Sequence, residues 1–267
     1  MSKSVKFIFV AIAVLAGSAA RAGALLFPEG EGQLILTTTF ADARDAYDSG
    51  GRLIRTPSYS KFEADGYLEY GAKEWLTLVA QGGAMDFQGS NGAFAPLSTS
   101  PAPRYAGLGL GGLGARVPLG EIGGFYFSLE GDLRGASRVA QTYLDMRDFL
   151  QVDARLQMFR SFDAWGLPAF LDAQLGYRTR GQSGDEIRAD MTLGVRPRTD
   201  VLLMAQSFSA IAPWPGSASS YVAQKFQISG VYDLNRRLSL QLGLVYAPIG
   251  MHSPAERGIV SALWARF

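Results

Sequence analysis

The sequence of 267 residues predicts an all-β protein, a transmembrane antiparallel up-and-down β-barrel of about 12 strands. Three observations carry this prediction. Apolar and polar residues alternate along a series of segments, no stretch approaches the roughly 18 consecutive apolar residues of a spanning helix, and the chain ends on an aromatic strand. The 32 glycines and the 12% of aromatic residues also favour strands and turns over helices.

The amino terminus has the features of a secretory signal peptide. Two lysines precede an apolar run from 7 to 16, and Ala20-Arg21-Ala22 offers a small-residue cleavage site. We therefore predict that residues 1–22 are a signal peptide and that residues 23–267 form the barrel domain. The chain contains no cysteine, so an exported protein of this size must be held by closure of its hydrogen-bonded wall and by packing.

Alternation bounded by turn signals predicts the individual strands. They cover residues 31–40, 58–70, 75–87, 105–117, 125–135, 147–161, 169–181, 187–196, 201–211, 221–233, 238–247 and 257–267. We expect bulges or register shifts in 105–117, where Leu113 falls out of phase, and in 221–233, where Gln224 lies on the apolar side.

The connections are predicted to alternate in length. Segments 71–74, 118–124, 162–168, 197–200 and 234–237 are expected to be short, and 41–57, 88–104, 136–146, 212–220 and 248–256 longer, with 182–186 as the exception. Short turns at one end and longer loops at the other are typical of bacterial membrane barrels, whose short turns face the periplasm. Both termini are therefore expected in the periplasm.

The two faces of the predicted strands differ in polarity. In 238–247, Leu242 and the residues two positions away along the strand are expected to face lipid, whereas Gln241 faces the interior. Aromatic residues cluster near both ends of the strands, as they do at membrane interfaces. They are Tyr70, Trp75, Phe125, Trp165, Tyr232 and Phe267 at the short-turn end and Phe40, Tyr177 and Tyr246 at the other.

Charged residues of both signs are predicted to line the lumen. A polar conduit and a salt-bridged interior that only stiffens the barrel are both compatible with them, and about twelve strands leave a narrow lumen. Arg178, Arg180 and Arg188 are expected to cluster near the outer mouth, with Asp190 and Asp172 as the nearest acids, so a conduit would attract anions such as carboxylates. The other predicted lumen-lining residues are Arg155, Asp153, Glu130 and Arg134.

Other chemistries lack the residues they need. A formal net charge of +1 gives no field that attracts nucleic acid. The glycines of 109–114 match G-x-G-x-x-G, but a turn rather than a helix follows, so they are predicted to be strand glycines and no cofactor is expected. His252 is the only histidine, and without thiols it cannot build a metal site. Its neighbour Ser253 leaves a lipid-acyl enzyme as a minor alternative, but a loop histidine is usually solvated, and we predict no enzymatic activity.

Three short motifs carry a resemblance to a known family. Segments 29–33 (EGEGQ), 68–71 (LEYG) and 75–78 (WLTL) resemble the MetA-pathway phenol-degradation group of Gram-negative transporter barrels. This resemblance implies an outer-membrane channel for a small organic molecule. The rival hypothesis, which the sequence leaves open, is a barrel that anchors or docks partners in envelope assembly.

The last strand carries a second resemblance. Residues 258–267 end on Trp264 and Phe267 and resemble the carboxyl-terminal signal of bacterial outer-membrane barrels. The resemblance implies that the barrel assembly machinery recognises this strand. The partners expected from the sequence are therefore that machinery, outer-membrane lipid and a small solute.

Overall fold

The structure is a computed structural model that describes residues 23–89, 104–136, 150–180, 184–213 and 220–267. Twelve long strands and one two-residue strand form a single antiparallel sheet. They are β1 (Gly32–Tyr47), β2 (Leu53–Lys73), β3 (Leu76–Gly89), β4 (Arg104–Ile122), β5 (Phe125–Ala136), β6 (Leu150–Ala164), β7 (Leu167–Thr179), β8 (Glu186–Arg198), β9 (Val201–Ala212), β10 (Tyr221–Asp233), β11 (Leu238–Met251), β12 (Ser253–Pro254) and β13 (Arg257–Arg266).

The sheet closes on itself as an up-and-down barrel, which confirms the predicted fold class. Each long strand pairs with its neighbours in sequence, and β1 pairs with both β2 and β13. At this seam Gln33 lies opposite Arg266 and Asp42 lies opposite Arg257. Closure leaves no free edge, so the backbone groups of the wall bond to one another, as a bilayer requires. In the described part of the chain no helix is long and apolar enough to cross a membrane.

One end of the barrel, called here the short-turn end, carries five short connections. They are residues 74–75, 123–124, 165–166, 199–200 and 234–237. Trp165 and Gly166 have φ values of 57° and 79°, and such positive angles allow a two-residue turn to follow the twist of the flanking strands. The opposite end is called the loop end.

Two predicted long loops are wrong, because strands continue through them. β1 and β2 leave only residues 48–52 of the predicted loop 41–57, and β11 and β12 occupy much of 248–256. Polar side chains joined by ion pairs extend the wall here, as in Arg257 and Asp42 at 3.2 Å. The apolar alternation that marks a strand in lipid is therefore absent from these extensions.

Strands also extend into two predicted turns at the short-turn end. β2 continues to Lys73 and β4 to Ile122, where the ladder passes an irregularity between Pro118 and Gly120. An irregularity of this kind admits a proline and a glycine without ending the strand. The predicted loops 88–104, 136–146, 182–186 and 212–220 fall wholly or partly outside the described residues.

The predicted irregularity in 105–117 is confirmed, whereas the one expected in 221–233 lies in the partner strand β11, between Tyr246 and Ile249. Opposite Gly82 and Ala84 of β3, strand β4 carries one extra residue between Leu108 and Gly111. This bulge puts Leu108 and Leu113 on the same outer face, 72% and 71% exposed, and explains the break in phase. The β10–β11 ladder shifts beside Gln224, which shares the outer face and donates a hydrogen bond to Ser207 at 2.8 Å.

The outer surface carries the expected apolar belt. Leu242 is 65% exposed and Gln241 is buried, so the predicted register of β11 is confirmed. Leucines and isoleucines of other strands share this exposure, and a belt of this kind suits hydrocarbon rather than water. Aromatic residues of both predicted girdles are exposed, namely Tyr70, Trp75, Trp165, Tyr232 and Phe267 at the short-turn end and Phe40, Tyr177 and Tyr246 towards the loop end.

Candidate functional site: the interior of the barrel

The interior has a charged side and an apolar side. Leu202, Met204, Val231, Ala262 and Trp264, from strands β9, β10 and β13, form a buried apolar cluster. Arginines and carboxylates from β2 to β8 face it, and a cavity of about 530 Å³ lies between the two sides. Its lining includes Arg134, Arg155, Arg178, Arg188, Asp190 and Glu130 on the charged side and Phe170, Met204, Val260 and Trp264 on the apolar side.

Asp153 of β6 is the centre of one charged cluster. Its carboxylate is fully buried. Arg155 Nε donates to Oδ1 at 2.9 Å and Arg178 Nε donates to Oδ2 at 2.8 Å. The Arg134 guanidinium lies 3.8 Å from the same Oδ2. Three arginines from β5, β6 and β7 therefore share one carboxylate on the inner face of the wall.

Arg155 links this cluster to β7 and β8. Its Nη1 donates to Asp190 Oδ2 at 3.2 Å and to the amide oxygen of Gln174 at 3.3 Å. Each of these residues faces inward from one of three neighbouring strands, so their side chains meet on the inner face. The structure thus brings Arg155, Asp153 and Asp190 together inside the barrel.

Glu186 is the acid at the loop end of the arginine group. Its carboxylate is buried and lies 3.2 Å from Arg188 and 3.5 Å from both Arg178 and Arg180. The Tyr221 hydroxyl of β10 also donates to it. The three arginines predicted to cluster do cluster.

The predicted acid partners of those arginines are wrong. Glu186 and Asp153 hold them, Asp190 contacts Arg155, and Asp172 lies elsewhere in the interior. The sequence pattern predicts a loop over 182–186, whereas β8 begins at Glu186, directly opposite Arg178 in the β7–β8 ladder. With Glu186 in a predicted loop, alternation gives no prediction that its carboxylate faces the interior.

A second charged cluster surrounds Arg116, whose inward direction the sequence pattern does not predict. Its guanidinium lies 2.7 Å from Glu69 and 2.6 Å from Glu130, and it also bonds to the Tyr67 hydroxyl at 3.0 Å. The bulge in β4 hides its inward direction, since simple alternation from the start of that strand gives the wrong face. The available signal was the local alternation of the apolar residues Leu113, Ala115 and Val117 with Gly114 and Arg116, between the two irregularities of β4.

The glycines of β4 make room for this charged wall. A Cβ on Gly114 would lie 2.0 Å from Asp132 Oδ1 and 2.6 Å from the carbonyl oxygen of Gly131. Only glycine therefore fits beside the Asp132 side chain at this point. The predicted interpretation of 109–114 as strand glycines is confirmed.

A short amino-terminal segment, Gly23–Pro28, crosses the interior on the short-turn side of the cavity. Its contacts step across three strands. Ala24 N–H donates to Asp172 of β7 at 3.2 Å, the Leu25 carbonyl accepts from Arg116 of β4 at 3.4 Å, and Phe27 N–H donates to Thr77 of β3 at 3.1 Å. Ala24 and Phe27 are buried. The period-two pattern of the wall carries no information about such a segment.

Comparisons with known proteins find this architecture in solved structures. No family model matches the sequence, and no curated protein matches it. The COG4313 outer membrane channel from Pseudomonas putida F1 has a similar structure, with a TM-score of 0.66 and 14% identity over 92% of this chain and 99% of that one. This similarity and the exposed apolar belt agree. The chain has the fold of an outer-membrane β-barrel.

Two further structures share the architecture at greater distance. The translocator domain of the autotransporter NalP from Neisseria meningitidis has a TM-score of 0.50 and 10% identity, covering 94% of this chain and 91% of that one. The NanC porin also has a TM-score of 0.50, with 8% identity over 84% of this chain and 98% of that one. Identities this low show a common fold and leave function to the site itself.

The two predicted assembly residues lie on opposite faces of the barrel wall. Trp264 is buried, and its indole N–H donates to Gln241 at 3.0 Å inside the barrel. Phe267 is exposed at the short-turn end, and its backbone exchanges hydrogen bonds with Gly32 at 2.9 and 3.0 Å. Phe267 therefore extends the seam between β13 and β1.

The residues of the minor enzymatic alternative do not form a catalytic pair. Ser253 donates its hydroxyl to the Val222 carbonyl at 2.8 Å, while His252 Nδ1 lies 3.0 Å from the carbonyl of Ser220. A nucleophilic serine needs its hydroxyl bonded to the base. Among the described residues, no group of three or more His, Cys, Asp or Glu side chains is placed to hold a metal ion.

Proposed function

We propose that this barrel is a channel that passes a small organic anion, such as a carboxylate with an apolar body, across the outer membrane. The observation that carries the proposal is the cavity of about 530 Å³ with arginines on one side and apolar side chains on the other. Guanidinium groups pair well with carboxylates. The apolar cluster around Trp264 would contact the rest of the solute.

Two guanidinium groups at this cavity retain free hydrogen-bonding capacity. Within the described residues the Nε atoms of Arg134 and Arg188 are buried and make no hydrogen bond. A buried donor without a partner is costly, and a passing anion would satisfy it. Both side chains line the cavity.

The balance of charge supports anion passage. Five arginines meet in this part of the interior, namely Arg134, Arg155, Arg178, Arg180 and Arg188, against the carboxylates of Asp132, Asp153, Glu186 and Asp190. Fixed charges on a narrow wall of low dielectric focus the local field. The excess of one cation belongs to this arginine group alone, because Glu69, Glu130 and Asp172 also line the cavity, so an anion would be attracted at the arginine group and not along the whole lumen.

We infer the orientation of the route from the two ends of the barrel. The short turns and both ends of the barrel domain lie together, and such turns face the periplasm in outer-membrane barrels. A solute would enter at the loop end, meet the Glu186 cluster, reach the cavity and leave past Gly23–Pro28. This segment would set the narrowest point, because it crosses the interior.

Planar bilayers test the proposal. The purified protein should conduct, and its reversal potential under a salt gradient should show anion selectivity. Arg188→Ala should reduce that selectivity, because it removes a cation from the lining. Arg198→Ala is the matched control, since Arg198 is exposed at the short-turn end and pairs with Asp200 at 3.0 Å. A conducting barrel whose selectivity is the same in all three proteins would contradict the anion proposal.

One observation favours the alternative, a barrel that anchors or docks partners. The segment Gly23–Pro28 occupies the interior and bonds to three strands, which fits a sealed barrel as well as a narrow channel. A wild-type protein that is folded yet never conducts would support this second function.

A further inference from the structure

Asp172 is a buried carboxylate whose hydrogen bonds do not include a basic side chain. It is 3% exposed, and its oxygens accept the Ala24 N–H at 3.2 Å and the Gln174 amide at 3.0 Å. In the described part of the chain no lysine, arginine or histidine nitrogen lies within ion-pair distance of it, whereas Asp153 and Glu186 each meet arginines. A carboxylate taken out of water requires a counter-charge to remain ionised at low cost.

Gly23 lies directly against this carboxylate. A Cβ on Gly23 would fall 2.1 Å from Asp172 Oδ2, so no larger residue fits here, and the backbone has a positive φ of 36°. Standard bond lengths then put the Gly23 nitrogen within about 5 Å of that oxygen. The main-chain nitrogen of residue 23 and the buried acid are neighbours.

The predicted signal-peptide cleavage site lies directly before Gly23, so cleavage would change the chemistry of the Gly23 nitrogen. Removal of residues 1–22 after Ala22 turns the Gly23 nitrogen from an amide into a free amine, which is protonated at neutral pH. We propose that the α-ammonium group of processed Gly23 forms a buried ion pair with Asp172 and thereby fixes Gly23–Pro28 across the interior. Asp172 thus binds the amino terminus that signal-peptide cleavage creates.

The remaining contacts of the segment suit a docked terminus. Beyond Ala24, the segment bonds to Arg116 and Thr77, and Gly30 N–H donates to the Gly71 carbonyl at 2.8 Å, where the chain joins the wall. Gly71 is itself packed under the segment, since a Cβ there would lie 2.0 Å from the carbonyl oxygen of Pro28. The segment is therefore tied at its wall end by backbone bonds and at its free end by the ion pair.

Amine labelling of the mature protein tests the proposal without any need for conductance. Protein purified from outer membranes is analysed by mass spectrometry for its first residue and is then treated with acetic anhydride at neutral pH. The α-amine should react on the order of tenfold more slowly in the folded barrel than in the urea-unfolded chain, because the paired ammonium is not nucleophilic. The exposed Lys73 side chain of the same molecule reports access of the reagent.

Asp172→Asn should raise the labelling rate of the α-amine towards that of the unfolded chain. Asp65→Asn is the matched control, because Asp65 is a carboxylate of β2 that lies opposite Gly83, away from the segment, and it should leave the rate unchanged. Gly23→Ala provides the same test with the acid retained, since its methyl group collides with Asp172. It also replaces Asp172→Asn if that variant fails to assemble.

Three results would overturn the proposal. They are a mature protein that begins at a residue other than Gly23, a folded wild-type α-amine that reacts as fast as the unfolded one, and equal protection in the wild type, Asp172→Asn and Gly23→Ala. None of these results depends on transport. Failure of the channel proposal is therefore distinguishable from failure of this one.

Discussion

Arg116 donates two hydrogen bonds to a single oxygen of Glu130, from Nε at 2.9 Å and from Nη2 at 2.6 Å, across the β4–β5 pair. Glu69 of β2 approaches the same Nη2 at 2.7 Å. One guanidinium thus forms ion pairs with two buried carboxylates. It ties three strands together in the half of the barrel near the short turns.

Loss of this guanidinium should destabilise the barrel strongly. Arg116→Met leaves Glu69 and Glu130 buried without their cation, which should cost about 3–5 kcal/mol of unfolding free energy. Urea unfolding in lipid vesicles, followed by tryptophan fluorescence, measures the difference. Arg198→Ala removes an arginine whose side chain is 71% exposed and should cost less than about 1 kcal/mol. Equal losses in the two variants would refute the structural role of the cluster.

Substitutions on the outer face should depend on depth. Leu242→Arg places a charge in the middle of the apolar belt and should cost about 2–4 kcal/mol. Leu53→Arg is the matched comparison, because Leu53 is also exposed but begins β2 at the loop end, and its cost should be about 0–1 kcal/mol. The same urea titration measures both. A difference near zero would mean that the belt does not lie in hydrocarbon.

Deletion of Phe267 should lower the amount of assembled barrel. The deletion removes the residue whose backbone pairs with Gly32 and extends the closing seam. Heat-modifiable mobility in electrophoresis measures the folded fraction in outer membranes. Trp165→Ala is the control, because Trp165 is an exposed aromatic residue at the same end but lies in a turn away from the seam. An undiminished folded fraction after the deletion would exclude a role for Phe267 in assembly.

Much of the wall could be predicted from the sequence, because a lipid-facing strand imposes a period of two. Leu242 and Gln241 were placed on the correct faces by that rule alone. The rule fails where a strand extends beyond the lipid-facing belt and where a bulge interrupts the strand. Beyond the belt, in β1, the outer face carries the charged Asp42 and Arg44 while Ala41 and Ala43 are buried, and in β4 the bulge before Gly111 reverses the phase.

The interior was harder to predict than the wall. Alternation identifies Arg178 and Arg188 as inward residues, but their partner Glu186 depends on where the β7–β8 hairpin turns. The contact of Ala24 with Asp172 joins positions 148 residues apart through a segment with no periodic pattern. Pairing of this kind is set by three-dimensional closure, which local sequence does not encode.

Neutralising Glu186 should increase anion selectivity, the opposite of removing an arginine. Its buried carboxylate offsets the charge of Arg178, Arg180 and Arg188, so Glu186→Gln leaves the three cations less compensated in the proposed pathway. Reversal potentials under a salt gradient should shift further towards the anion limit than in the wild type. Asp185→Asn changes the charge equally but affects a carboxylate that bonds Tyr177 on the exposed face, so its shift should be smaller. Equal shifts from the two variants would show that the mouth responds to net charge alone and not to the lining of the lumen.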